Sequence, residues 1–386
     1  MDTSNLDSLF ENGKIEFQTI SSGKEWTLSA TGDYAPLPVL QKTIDQNRFD
    51  ELMDNISALT EADISITNLE VALCEECEVN GKGVRGPRGL FAEMHQKVPF
   101  TIYSLANNHI RDAGPEALEK TFKTFKDQGI KYVGGGVDEA EAAKLMIISS
   151  NDIEAGVLAF AQNENQIATD LTPWANELIA DKVLADAKKL VNAVDVPIVI
   201  LHEGFEFMDV PRLQLRKLCR ELVDLGIKLV IAHHPHVPQG IEKIGDSMVY
   251  YSLGNFLFTQ PHFAPYPWAR RSFVPKISFR GNEIAGVTLN TFELEVEPSL
   301  FLKPASEQIE KEILEHLRKN SAIIDDDALM KMEIEKFFSS ILLPEFLGFI
   351  QRYSNEKNGD FSELIETFKN QIPVHNLFTD FVEINS

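Results

Sequence analysis

Three histidines occupy four positions at His233-His234-Pro235-His236, ahead of Val237-Pro238-Gln239-Gly240. They directly follow the apolar run Ile227-Lys228-Leu229-Val230-Ile231, which reads as a buried strand. The histidines therefore belong on the loop leaving the strand's C-terminal end, the edge at which open α/β sheets place ligand sites. Imidazole is the commonest side-chain ligand for transition metals. In His-x-His both rings can face one point if the backbone is irregular. Pro235 makes it irregular by fixing its own φ and restricting His234. A surface loop that is merely His-rich would carry the same letters, so the remaining strand ends must decide.

Four other polar clusters follow apolar runs in the same way. Trp26 to Thr31 leads to Gly32-Asp33, and Ile64 to Thr67 leads to Asn68-Leu69-Glu70. Phe100 to Leu105 leads to Ala106-Asn107-Asn108-His109, and Val196 to Leu201 leads to His202-Glu203-Gly204-Phe205-Glu206. Each is a short β-like run ending in a carboxylate, amide or imidazole. Taken singly, Asp33 fits a turn, His202 a hydrogen-bonded core histidine, and Asn107-Asn108 a turn before a helix. Taken together, five strand ends delivering Asp, Glu, Asn and His to one sheet edge make a hard-to-borderline metal site.

The order of these motifs, with Asp112 and Gly114 after His109, His202-x-Gly204-x-Glu206, His234-Pro235-His236-Val237 and Tyr251-Ser252-Leu253-Gly254-Asn255-Phe256, resembles the CapA family. These are capsule or poly-γ-glutamate biosynthesis proteins, a branch of the calcineurin-like metallophosphoesterases. The resemblance covers roughly Trp26 to Leu294 and implies a four-layer α/β/β/α metallophosphatase-like sandwich. It implies divalent metal ions, two of them, drawn from Mn, Fe, Zn or Mg. A two-metal phosphoesterase holds its cations about 3.5–4 Å apart, shares one carboxylate between them, and turns a bridging water into hydroxide. Carried onto matching positions, Glu70 bridges, Asp33 and His236 serve the first metal, and Asn108, His202 and His234 serve the second. His109 then acts on the leaving group or the transition-state charge, with Asp112 orienting its ring. Two positions depart from the pattern. Ala35 stands where the wider superfamily has the histidine of Asp-x-His, so the first site has fewer ligands. Glu203 stands where relatives often carry Trp. The implied activity is a metallophosphoesterase-like hydrolysis of ester bonds. A non-catalytic component that binds or exports an anionic polymer, and a metal-dependent γ-glutamyl amide hydrolase, are the alternatives.

Arg85, in Gly83-Val84-Arg85-Gly86-Pro87-Arg88-Gly89, suits phosphate or carboxylate recognition through its planar fork. It is a candidate substrate contact, as is Glu206, which could equally support His202 or cap a turn. Gly134-Gly135-Gly136 lacks the Lys and Ser/Thr of a phosphate loop and reads as a tight turn. Cys74-Glu75-Glu76-Cys77 has redox or zinc spacing, but zinc needs a second pair and Cys219 is alone. It reads as incidental or as a minor disulfide.

The positioning elements are legible around these clusters. Asp112 to Gly129 reads as a helix with Pro115 at its start, and Asp138 to Ala143 as a short helical segment. Thr172-Pro173 is expected to open the helical stretch to Ala193, and Asp209 to Leu225 to form another. From Gly240 short strands predominate, with hairpin turns at Gly245-Asp246 and Gly281-Asn282, and these are expected to build the second sheet of the sandwich. The division expected is an extension at 1–24, a metallophosphatase-like domain at 25–297 and a helical region at 298–386.

Composition narrows the partners. A chain of 386 residues with 44% apolar content can hold one large domain and a smaller addition. The net charge of −23 repels nucleic acid, so none is expected, and it also repels polyanionic polymers unless a local basic patch overrides it; a small phosphorylated or polyglutamate-type substrate is what the resemblance implies. No run approaches the roughly 20 apolar residues of a membrane span, and residues 1–13 lack a signal-peptide pattern. The expectation is a cytoplasmic protein as given. Association with the cell envelope, in a capsule-synthesis membrane complex, is the alternative if an anchor is missing.

Overall fold

The computed structural model describes residues 6–75, 83–162 and 175–342. Its first part runs α1 (Asp7–Asn12), β1 (Lys14–Glu16), β2 (Glu25–Tyr34), α2 (Gln41–Asp45), α3 (Phe49–Thr60), β3 (Ile64–Leu69), β4 (Ala72–Cys74), β5 (Arg85–Pro87), α4 (Arg88–Lys97), β6 (Ile102–Ser104), α5 (Pro115–Gln128), β7 (Tyr132–Val133) and α6 (Glu139–Ala142). The middle runs β8 (Met146–Ser150), β9 (Ile153–Ala161), α7 (Ala180–Val191), β10 (Val196–His202), α8 (Leu213–Asp224), β11 (Leu229–His233), β12 (Ile241–Ile244) and β13 (Ser247–Tyr250). Then follow β14 (Asn255–Leu257), β15 (Arg271–Arg280), β16 (Glu283–Glu295), β17 (Phe301–Pro304), α9 (Glu307–Asp325) and α10 (Asp327–Phe337).

The strands form two main sheets. The first has the order β1-β16-β15-β2-β3-β6-β7, with β14 beside β2 and β17 beside β16. The second has the order β12-β13-β11-β10-β9-β8. β2, β3, β6 and β7 are parallel, as are β9, β10 and β11. Parallel strands are covered on both faces, which is why their sequences are continuous apolar runs rather than alternating ones. Alternate residues nonetheless serve different layers. Val196, Ile198 and Ile200 of β10 pack with Leu28 and Ala30 of β2 between the sheets. Val199 and Leu201 face the other way, against Val183, Ala187 and Leu190 of α7 and Leu218 and Leu222 of α8. On the far side of the first sheet, Leu52 and Ile56 of α3, Phe91 of α4 and Phe125 of α5 cover Tyr34 and Tyr103. Helices, two sheets and helices thus stack as α/β/β/α.

Local signals hold where they are chemical. Pro115 is the first residue of α5 and Gly129 closes it in the left-handed conformation at φ +68°. Asp138 caps α6 by accepting from the Glu141 amide. Both anticipated hairpins pair across two-residue turns, Ile244 with Ser247 and Arg280 with Glu283. α8 begins at Leu213, later than Asp209, because residues 205–210 form part of a separate apolar cluster with α9 and α10. The Thr172-Pro173 start, Cys77 and the apolar stripe around Leu364 lie outside the described residues.

Three placements differ from expectation. The strands after Gly240 do not make a sheet of their own. β12 and β13 close the second sheet beside β11, whereas β14 to β17 return to the first sheet beside β2. Apolar patterning identifies a strand but not its neighbour, and β2 and β11 both had an open side. The segment after residue 298 begins with β17, paired to β16, before any helix. Residues before Trp26 are packed: β1 pairs with β16, and Leu9 and Phe10 of α1 are buried. Among the described residues, no helix is long and apolar enough to cross a membrane.

Candidate metal centre

The C-terminal strand ends converge, and the two sheets contribute different chemistry. The first sheet supplies the acid and amide donors, Asp33 from β2, Glu70 just after β3 and Asn108 after β6, with His109 next to Asn108. The second supplies imidazoles: His202 from β10 and His233, His234 and His236 from the end of β11 and its loop. Two donor groups result, each with its ligand atoms within 4.8 Å of one another: Glu70, His202 and His234, and Asp33, Glu70 and His236. Glu70 belongs to both. Asp33 and Glu70 are 0% exposed, and the three histidines between 1% and 3%.

The atoms around His202 show what the arrangement suits. Its Nε2 lies 2.9 Å from Asn108 Oδ1, 3.2 Å from His234 Nδ1 and 3.4 Å from Glu70 Oε1. One ring N–H can serve only one of these acceptors, whereas a cation among them serves all four atoms. On the other side, His236 presents Nδ1 to Asp33 Oδ2 at 3.1 Å and Nε2 to Glu70 Oε1 at 3.8 Å. Nitrogen and oxygen donors without thiolate suit Mn, Fe, Zn or Mg. The residues present therefore fit a divalent metal.

Protonation favours the same use. Burial holds His202 well below the usual imidazole range, and the neighbouring His234 adds to the effect, so the ring is neutral. Burial would raise Asp33, yet the adjacent His233 and His236 rings hold the carboxyl well below its ordinary value. Neutral imidazole and ionised carboxylate are the forms that bind metal.

The backbone is bent to aim the rings. His234 has φ +100° and His236 φ +58°, flanking Pro235. Non-glycine residues at positive φ cost about 1–3 kcal/mol each. Burying one Leu, Ile or Val contributes about 1.5–3 kcal/mol, and Leu229, Val230 and Ile231 are all fully buried in β11. The strand thus outweighs the strain of its loop. On the opposite side Gly32 lets β2 approach the 253–254 turn: a Cβ there would lie 2.0 Å from the Gly254 carbonyl oxygen.

A family model described as bacterial capsule synthesis protein PGA_cap matches residues 27–260. The chain belongs to that family. The match covers the second sheet, the parallel strands of the first and every donor just described, and ends before β15. This PGA_cap chain is 30% identical over 167 residues to capsule biosynthesis protein CapA of Bacillus anthracis, covering 42% of this chain and 41% of the relative. It is 32% identical over 167 residues to PGA biosynthesis protein CapA of Bacillus subtilis (strain 168), covering 42% and 43%. The chain thus spans less than half the length of these two curated relatives. Among solved structures, a novel phosphatase of Mycoplasma pneumoniae aligns at TM-score 0.46 and 11% identity, over 70% of this chain and 94% of that one.

The other residues singled out in this PGA_cap chain surround the donors. His109 Nδ1 lies 2.7 Å from Asp112 Oδ2, which also accepts the Val84 amide at 2.6 Å. Arg85 donates Nε to the Asp112 carbonyl at 2.9 Å, so it braces the residue behind His109. Glu206 is half-buried and lies 3.3 Å from His262 Nε2. Burial would raise its carboxyl, but the bond to His262 and the nearby His236 and His234 take it down to about 2. Glu203, the departure after His202, is buried and ion-paired with Arg212.

Sequence reasoning left several contributors without a role. Asn68 Nδ2 reaches both Asp33 Oδ1 at 2.8 Å and His202 Nδ1 at 3.2 Å, tying the two sheets together. Asn107 Nδ2 donates to the Leu69 carbonyl at 2.9 Å, beside Glu70. His233 Nδ1 lies 3.4 Å from Asp33 Oδ1. Asn255 accepts from His236 Nδ1 at 3.0 Å and donates to the carbonyls of His236 and Ala269. Phe207, at φ +65°, stacks on Tyr266 at 3.8 Å and forms a wall near His236. Asn68 and Asn255 stood inside quoted motifs, which was the available signal. Phe207 had none.

Proposed function

We propose that the chain is a metal-dependent hydrolase of phosphoester-type bonds, working in capsule or poly-γ-glutamate biosynthesis. The observation that carries the reading is Glu70, one buried carboxylate common to two donor groups. Asp33 and His236 would hold one divalent ion, His202, His234 and Asn108 a second, with Glu70 between them. Bound divalent cations supply Lewis acidity and lower the pKa of a water molecule. The chain's own part is to orient and to move a proton. Asp112 takes up Nδ1 of His109, which fixes the ring and leaves Nε2 for substrate. His109 is 18% exposed in its side chain, at the edge of the buried donors, and from there it protonates a leaving oxygen or stabilises developing negative charge. The names of the two Bacillus relatives support the biosynthetic setting, with a small phosphorylated or polyglutamate-type substrate.

The test is metal analysis of the purified chain together with hydrolysis of a generic aryl phosphate in added Mn²⁺. A metal-free, inert protein under those conditions refutes it. One observation favours a second reading, a polymer-binding role without turnover. Ala35 leaves the Asp33 side without the superfamily's histidine. In that case binding of a polyglutamate chain survives Glu70→Ala and His236→Ala. A γ-glutamyl amide hydrolase would use the same residues and differ only in substrate.

A further inference from the structure

The loop carrying His234 and His236 joins β11 to β12, and α9 lies directly against its far end. Ser321 accepts the Ile241 amide at 2.8 Å through Oγ, while the same hydroxyl donates to the Leu317 carbonyl at 2.7 Å. One turn earlier, His316 Nε2 lies 3.0 Å from the Pro238 carbonyl oxygen, and its ring stacks on Trp268 at 3.8 Å. Between these two bonds the loop passes so close that a Cβ on Gly240 would lie 2.6 Å from Ile324 Cδ1 and 2.7 Å from the Ser321 nitrogen. Only glycine fits there. His316, Leu317, Ser321 and Ile324 are buried, and Trp268 is partly buried. α9 lies beyond residue 260, where the family match ends.

We propose that α9 is a positioning element for the metal centre, with His316 and Ser321 fixing the main chain that aims His234 and His236. The inference rests on the metal-centre reading above. A loop with two residues at positive φ needs its main chain held from outside, because relaxation toward ordinary φ values would turn both rings away from Glu70. Hydrogen bonds to Pro238 and Ile241 bracket that loop at its exit. The same helix, through Ile323, also packs with Met208 and Val210 on the segment that follows His202. Both imidazole-bearing segments therefore rest on a helix outside the matched region.

The experiment measures Mn²⁺ affinity by titration calorimetry on the chelator-treated full chain, beside the unfolding temperature of the metal-free protein. Ser321→Ala and His316→Ala are expected to weaken Mn²⁺ binding about tenfold, as loss of a group supporting a metal ligand does. His316→Gln, which keeps a donor near Pro238, should recover most of the affinity. Ile313→Ala removes apolar packing from the same helix but no bond to the loop. It should lower the unfolding temperature and leave affinity within about twofold, well under the effect of a lost supporting group. Unchanged affinity in Ser321→Ala and His316→Ala overturns the proposal. So does an affinity loss in Ile313→Ala equal to theirs. Absence of Mn²⁺ binding by the unsubstituted chain overturns the metal-centre reading itself.

Discussion

Asn255→Ala tests whether the groups behind the donors set metal affinity. The Asn255 side chain makes three buried hydrogen bonds: from His236 Nδ1 at 3.0 Å, to the His236 carbonyl at 3.2 Å and to the Ala269 carbonyl at 2.9 Å. At about 1 kcal/mol net for each, their loss removes about 3 kcal/mol of stability. Domains have about 5–15 kcal/mol in total, so the variant folds with a lowered unfolding temperature. The effect on metal is separate. By accepting from Nδ1, Asn255 keeps the proton there and leaves the Nε2 lone pair directed at the side of Glu70. Without it the ring can rotate or change tautomer, and removing such a partner typically weakens metal binding about 10–100-fold. That corresponds to about 1.4–2.7 kcal/mol. Titration calorimetry with Mn²⁺ on the folded, chelator-treated variant reads it directly. A folded variant that binds Mn²⁺ as tightly as the unsubstituted chain would falsify the claim that Asn255 sets the His236 tautomer.

Other substitutions separate the parts of the site. Glu70→Gln should abolish metal retention altogether, because both donor groups lose their common carboxylate; elemental analysis showing one ion still bound would contradict the shared role. His234→Ala should remove tight binding, whereas Asp33→Ala should spare the tight ion and remove turnover, and equal loss of the tight ion in both would mean the donors are wrongly grouped. His109→Ala should leave metal content intact and lower kcat about 10²–10⁴-fold, the range for a lost general acid; metal loss would place His109 among the ligands. Gly32→Ala would put a Cβ 2.0 Å from the Gly254 carbonyl oxygen, so β2 and β14 must separate and Asp33 shifts; an unchanged unfolding temperature with full metal binding would show that this close approach is not required.

Much of the fold was legible because its signals are local. Polar residues at the ends of apolar runs located the strand ends, Pro115 and Gly129 bounded α5, and two-residue glycine turns placed two hairpins. What stayed hidden is what depends on partners. Nothing in β12 or β15 says which sheet it joins, since an apolar strand packs equally well beside β11 or β2. The candidate donors were readable from residue type, and the structure brings all six of them together. Their supports were not. Asn68 reaches across to His202, and the bond from the Ile241 amide to Ser321 joins residues 80 positions apart. Glu203 looked like an anomaly of the pocket until its partner Arg212 was visible.

The division of donors between the sheets has a consequence for how the protein is made. Asp33 and Glu70 belong to the half of the chain that leaves the ribosome first, and nascent domains begin folding from that end. In the finished molecule both carboxylates are fully buried beside imidazoles from the half that emerges later. A nascent fragment that stops short of His202 cannot bury them in this way without stranding charge away from water, which is strongly unfavourable. The early half must keep that edge open and wet until the late half docks. The chemistry at the strand ends therefore acts as a checkpoint on assembly: the first sheet can finish closing only when the second has arrived.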